Sequence, residues 1–146
     1  MVDIRPFRPD DQQDVIQFWK KVFPDTPSHN DPLKDIQTKL KIQSDLFLVA
    51  ELNHQLVGTA MVGFDGHRGW VYYLAVDPAL RRKGIGTALM EKAEDLLAQM
   101  GCHKLNLQIR ADNSAVQAFY EKLGYGVEDR ISMGKRFYSD HLIRSK

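Results

Sequence analysis

Cysteine is almost absent: Cys102 is the only one in 146 residues. No disulfide can form within the chain, and a reducing compartment, the cytoplasm, is the expected setting. Long apolar runs are missing too. The longest, Trp70 to Val76, falls far short of the ~20 residues that a membrane-spanning helix needs, so no membrane partner is expected. The first residues carry Asp3, Asp10, Asp11 and Asp14 with no apolar stretch behind a basic start, which argues against a secretory signal. Charge of one sign is not in excess, since 20 Lys and Arg face 19 Asp and Glu. Without a basic surplus, attraction to phosphate backbones is weak and nucleic acid is not an expected partner. The histidines at 29, 54, 67, 103 and 141 share no metal-ligand spacing, and no metal site is expected.

What is present suits a globular chain. Hydrophobic residues make up 43% and aromatics 10%, enough apolar side chain to offset chain entropy. No repeat, low-complexity tract or composition break marks a boundary, so residues 1–146 are read as one domain.

Ile4 to Arg8 is expected to be a first strand, followed by Asp10 or Asp11 as N-cap and a helix with Val15, Trp19 and Val22 on one face. Pro24 to Asp31 reads as a loop. Asp31 then Pro32 opens a second helix with Leu33, Ile36 and Leu40 inward. Leu46 to Leu52 and Leu56 to Phe64 are strand-like and close enough for a hairpin. The turn Asp65–Gly69 leads into the strand Trp70 to Val76, whose lack of polar alternation predicts burial on both faces. Ile85, Leu89, Ala93, Leu96 and Met100 then form a helical stripe, stopped at Gly101 in the C′ position. Lys104 to Arg110 is the next expected strand. Ser114 and Gln117 suggest a capping box for a short helix carrying Ala115, Val116, Phe119, Tyr120 and Leu123, ended by Gly124. Tyr125 to Phe137 is expected to supply one or two closing strands. The order predicts a three-layer α/β fold, a mixed central sheet with helices on both faces.

The most informative segment is Leu74-Ala-Val-Asp-Pro-Ala-Leu-Arg-Arg-Lys-Gly-Ile-Gly-Thr-Ala-Leu89, a strand running through a basic, glycine-bearing loop into a helix. Gly84 and Gly86 remove side chains where backbone must approach a ligand, and the N–H groups at the helix start present partial positive charge. Arg81, Arg82 and Lys83 add full charges. A phosphate-bearing ligand follows from this pattern, but two familiar classes do not. Gly-x-x-x-x-Gly-Lys-Ser/Thr is absent, and the third glycine of the dinucleotide fingerprint is Leu89, so neither a nucleotide triphosphatase nor a dehydrogenase is favoured.

Arg81-Arg-Lys-Gly84-Ile-Gly86 resembles the Gln/Arg-x-x-Gly-x-Gly/Ala signature of the GNAT superfamily of N-acetyltransferases. Leu74-Ala-Val-Asp-Pro78 resembles that family's pantetheine-binding strand, and Asn113-Ser-Ala-Val-Gln-Ala-Phe-Tyr-Glu-Lys-Leu-Gly-Tyr125 its next motif. The chain looks similar to small bacterial acetyltransferases of the YpeA type. The resemblance implies a single GNAT fold and acetyl transfer from acetyl-CoA to a primary amine, on a peptide or protein N-terminus or on a small molecule. Attack would be direct, in a ternary complex; no cysteine is placed for a covalent acyl-enzyme. It further implies that backbone groups of Leu74, Ala75 and Val76 bind the pantetheine arm. Amides from Arg82 through Lys83, Gly84, Ile85 and Gly86 to Thr87 would hold the pyrophosphate, with Arg81 opening the motif and Asn113 adding a polar contact. Tyr120 matches the tyrosine that protonates the departing thiolate; an ordinary phenol, with pKa about 10, stays protonated at neutral pH.

The general base stays open. Trp70 stands where several relatives have Glu, leaving a water relay, Asp65, His67 or Glu51. Asp25, Asp31 and Asp35 could line an acceptor rim or simply cap helices. A noncatalytic acyl-CoA sensor or interaction module is the alternative function, and monomer and homodimer are both compatible with the sequence.

Overall fold

In strand β2 (Phe47–Leu52) the side chains alternate, yet Phe47, Leu48, Val49 and Ala50 are all fully buried. A strand with no wet face must be covered on both sides. The computed structural model, which describes residues 2–25 and 31–137, shows what covers it. Phe47 and Val49 join Phe7, Val15, Phe18, Trp19, Ile36, Met61 and Ala75 in a cluster built against α1 (Gln12–Val22) and α2 (Pro32–Ile42). On the other face Ala50 and Gly58 lie beneath Leu89 of α3 (Ile85–Gln99), close enough that a methyl group on Gly58 would stand 3.0 Å from Leu89 Cδ1. Helices thus cover both faces of the sheet.

The sheet runs β1 (Asp3–Pro6), β2, β3 (Gln55–Phe64), β4 (Gly69–Val76), β5 (Leu105–Asn106) in spatial order. The first three pairings are antiparallel and β4–β5 is parallel, which makes the sheet mixed as expected. The described residues form two compact units: 2–25 with 31–107, which holds the sheet and α1 to α3, and 108–137, which holds α4 (Ser114–Lys122). The middle of the expected loop at 24–31, and His141, lie outside the described residues.

Helix ends follow their local chemistry. Asp31 caps α2, its Oδ1 accepting from the N–H groups of Leu33 and Lys34 at 3.1 and 3.3 Å, with Pro32 next in line. Both later helices end in Schellman motifs. Gly101 (φ +84°) lets Cys102 N–H reach Leu97 O at 3.0 Å, and Gly124 (φ +97°) lets Tyr125 N–H reach Tyr120 O at 3.1 Å.

Five expectations need correction. β5 spans only Leu105–Asn106 instead of 104–110, because its ladder with β4 ends at Trp70↔Asn106 and β4 is then bent by a bulge. No strand forms over 125–137; Val127, Ile131, Met133 and Phe137 are exposed, and β propensity without a pairing partner makes no strand. β4 is not buried on both faces, since Tyr72 is 52% exposed. The buried stripe of α3 runs Ile85, Leu89, Ala93, Leu97, with Met100 left exposed. At α4 the cap is Asn113, whose Oδ1 accepts from Val116 N–H at 3.2 Å, and not Ser114.

Candidate active site

Strand β4 leaves the sheet on an unusual path. Thr59 pairs with Ala75 and Met61 with Tyr72, so Tyr73 and Leu74 together face the single residue Ala60. This is a β-bulge, and Tyr73 occupies the left-handed region with φ +53°. On its other side β4 pairs only at Gly69 and Trp70, which leaves the backbone edge from Val71 to Val76 without a strand partner among the described residues. Leu74, Ala75 and Val76, the expected pantetheine segment, lie on that edge.

After Val76 the chain is tied down at once. Asp77 N–H donates to Val57 O at 2.9 Å, and Asp77 Oδ1 accepts from Ala79 N–H at 3.0 Å, capping a short 3-10 turn over Pro78–Leu80. That backbone donor, helped by Lys21 at 3.2 Å, holds the Asp77 carboxyl below the usual range. The turn delivers Arg81 in an extended conformation, then Arg82 at φ +66° and Gly84 at φ +81°. Left-handed residues interspersed with others make successive N–H groups converge, a geometry suited to anions.

Gly84 is the N-cap of α3 and offers no side-chain cap. The first bond within the helix runs from Ala88 N–H to Gly84 O at 2.9 Å. The N–H groups of Ile85, Gly86 and Thr87 therefore have no acceptor inside the helix. No acidic side chain lies in the first turn, while Arg81, Arg82 and Lys83 are exposed around it. Dipole, orphan donors and cations act in the same direction. The structure thus brings Leu74 to Val76 and Arg81 to Thr87 together on one continuous strand, turn and helix.

Asn113 and Tyr120 belong to the other unit and are described within it. The Asn113 side-chain oxygen is spent on the α4 cap, a structural task its place in the motif did not reveal. Tyr120 is buried at 7% exposure, with its ring edge-on to Phe119 at 5.0 Å and to Tyr125 at 5.7 Å. The Schellman turn at Gly124 is what folds Tyr125 back onto Tyr120. Burial pushes the Tyr120 phenol up to about 12, so it is protonated throughout the neutral range.

The open question of the base narrows. The Asp65 carboxylate is committed to its own turn, accepting from His67 and Arg68 N–H at 2.8 Å each and from Trp70 Nε1 at 3.3 Å. Those donors, Arg68 first, hold it below the usual range and make it a poorer base. Glu51 accepts from Arg5 Nε at 2.5 Å, and His67 is exposed in the turn. Of the acidic rim residues Asp31 caps α2, whereas Asp35 accepts from the Tyr73 hydroxyl at 2.6 Å. Tyr73 and Thr59, which organise this region, carry no sequence signal; their role appears only when β3, β4 and α1 pack. Among the described residues no group of three or more His, Cys, Asp or Glu could hold a metal ion, and no helix is long and apolar enough to cross a membrane.

A mixed sheet with helices on both faces and a glycine-bearing turn into an uncapped helix start after β4 defines a class, and comparison with known proteins agrees. The profile of the acetyltransferase (GNAT) family matches residues 12–125, and the chain belongs to that family. It is 48% identical over 139 residues to an acetyltransferase of Pectobacterium atrosepticum, covering 95% of this chain and 98% of that one. An acetyltransferase of Yersinia pestis is 46% identical with the same coverage. Among solved structures, the ribosomal-protein-S18-alanine N-acetyltransferase of Escherichia coli superposes with a TM-score of 0.71 at 25% identity, over 85% of this chain and 77% of that one. Aminoglycoside N-acetyltransferase AAC(6')-Iy, solved in complex with CoA, superposes with a TM-score of 0.75 at 18% identity, over 93% and 95%.

Proposed function

We propose that this chain transfers an acetyl group from acetyl-CoA to a primary amine in a ternary complex. The observation that carries the reading is the donor cradle at the start of α3, which follows an edge of β4 with no strand partner among the described residues. Amides from Arg82 to Thr87 fit a pyrophosphate, which needs several converging donors and no side chain in the way. Backbone groups of Leu74, Ala75 and Val76 fit the pantetheine arm, whose amides can pair with a free strand edge. Arg81 and Lys83 add attraction at longer range. The family resemblance gives Asn113 a polar contact to the same arm.

In the reaction a neutral amine forms a C–N bond to the thioester carbonyl, the C–S bond breaks, the acylated nitrogen releases one proton to solvent, and the departing thiolate takes one. Tyr120 is assigned as its donor; burial keeps the phenol protonated at neutral pH but also makes it a weaker acid than the thiol, so the transfer depends on the hydroxyl being placed at the sulfur, and the phenolate then regains a proton from solvent. The acceptor is an amine on a peptide, a protein N-terminus or a small molecule, and the cytoplasm is the expected setting. The whole chain from 1 to 146 is taken as the functional domain.

Two measurements test this reading. Wild type should bind CoA in calorimetry and turn over acetyl-CoA with at least one member of an amine panel that includes peptides with free N-termini. Tyr120→Phe should keep CoA affinity within about threefold and lose at least tenfold in turnover. CoA binding with no turnover across the panel would favour the noncatalytic sensor, and absence of CoA binding would overturn the cofactor assignment.

A further inference from the structure

Thr59 sits in the middle of β3 and is completely buried. Its hydroxyl accepts from Trp19 Nε1–H at 2.9 Å and lies 2.8 Å from the Tyr73 carbonyl. An indole nitrogen only donates, so the single hydroxyl proton is directed to the carbonyl. Both halves of the threonine's bonding capacity are thereby used, and both link it to other elements.

The partner of that proton is the left-handed residue of the bulge. A bulky residue at positive φ is strained and persists only where the surroundings over-determine it. Three elements hold Tyr73 there. Thr59 of β3 takes its carbonyl, Trp19 of α1 stacks on its ring with centroids 3.9 Å apart and planes at 12°, and Asp35 of α2 accepts from its hydroxyl. Only the first acts on the backbone.

The bulge matters because it changes the alternation of the strand. One extra residue between Tyr72 and Ala75 reverses which backbone groups and side chains face each side from there on. It therefore decides which N–H and C=O groups of Leu74 to Val76 stand on the edge of β4 that has no strand partner among the described residues. We propose that Thr59 is a positioning residue for the cofactor strand: with Trp19 orienting its hydroxyl, it locks the Tyr73 peptide in the bulged form and so sets the edge that receives the pantetheine. This inference rests on the assignment of Leu74 to Val76 to that arm.

Thr59→Val keeps the side-chain shape, removes the hydroxyl and leaves the Tyr73 carbonyl without its donor. In the full chain, CoA affinity measured by calorimetry should fall about tenfold, or ~1.4 kcal/mol, as the competent backbone becomes one of several populated forms. Thr59→Ser restores the hydroxyl and should return affinity to within about threefold of wild type. Urea midpoints, taken in parallel, show that each protein is folded during the titration; if Thr59→Val does not fold, Thr59→Ala makes the same comparison. A purely structural threonine would lower the midpoint and leave CoA affinity unchanged in the folded variant, and that result overturns the proposal. A wild type that does not bind CoA overturns the assignment of the strand itself, and the role given to Thr59 with it.

Discussion

The hydroxyl of Tyr73 and the carboxylate of Asp35 meet at 2.6 Å, joining the bulge of β4 to helix α2. Burial and then the Asp35 partner push the Tyr73 phenol well above its ordinary range. Because the folded protein disfavours the phenolate, the associated stability is fully present below about pH 10 and is lost as pH rises past that unfolded value. Tyr73→Phe should cost about 1–2 kcal/mol at pH 8 by leaving Asp35 without its donor. Urea midpoints between pH 8 and 11 should fall faster in wild type than in the variant, so the gap narrows. Tyr120, raised to about 12, contributes a decline of the same sign to both proteins. A constant gap would show that the Tyr73 phenol is not perturbed.

A second carboxylate controls the acid side. Arg5 grips Asp11 with two bonds, Nη1–Oδ2 at 2.8 Å and Nη2–Oδ1 at 2.9 Å, while its Nε holds Glu51. These bonds, with Arg8 N–H at 2.7 Å, keep the Asp11 carboxyl below its usual range. A depressed folded pKa gives stability that is complete above about pH 4 and is lost as pH falls through the folded value. Asp11→Asn should destabilise by about 1–2 kcal/mol at pH 7, a modest figure because the site is partly wet. The difference should shrink by pH 3. An equal cost at both values would mean that packing, and not charge, accounts for it.

The loop proposed to bind the cofactor allows backbone and charge to be tested separately. Lys83 is exposed, so Lys83→Ala should weaken CoA binding by about tenfold or less, with the loss fading at higher salt. Gly86 lies among the orphan donors of α3, and Gly86→Trp should abolish binding in a folded protein by filling the cradle. Gly84 is left-handed with open space around a would-be Cβ. Gly84→Ala should therefore cost about 1 kcal/mol of stability from backbone strain alone. Calorimetry with urea denaturation on the same samples checks all three. Comparable losses of affinity for Lys83→Ala and Gly86→Trp would replace the backbone cradle with a side-chain clamp.

Much of this molecule is legible in its sequence because the signals are local. Asp31 before Pro32, Gly101 and Gly124 after their helices, and the hydrophobic period changing at Gly84 each depend on residues within one turn of each other. The segment proposed to hold the pyrophosphate is local too: strand, basic turn, two glycines and helix follow in chain order from Leu74 to Leu89, so its backbone layout can be read before any packing is known. Tertiary structure decided the rest. Asp65 and Glu51 are candidate bases in the sequence because Trp70 stands where relatives have Glu, yet one is engaged by its own turn and the other by an arginine 46 positions away. A strand reading for 125–137 rests on propensity, and pairing did not support it. The bulge at Tyr73 and its bond to Thr59 are invisible in the chain, because the bonds of Thr59 join residues 14 and 40 positions apart that only the pairing of β4 with β3 and the packing of α1 on the sheet bring into reach.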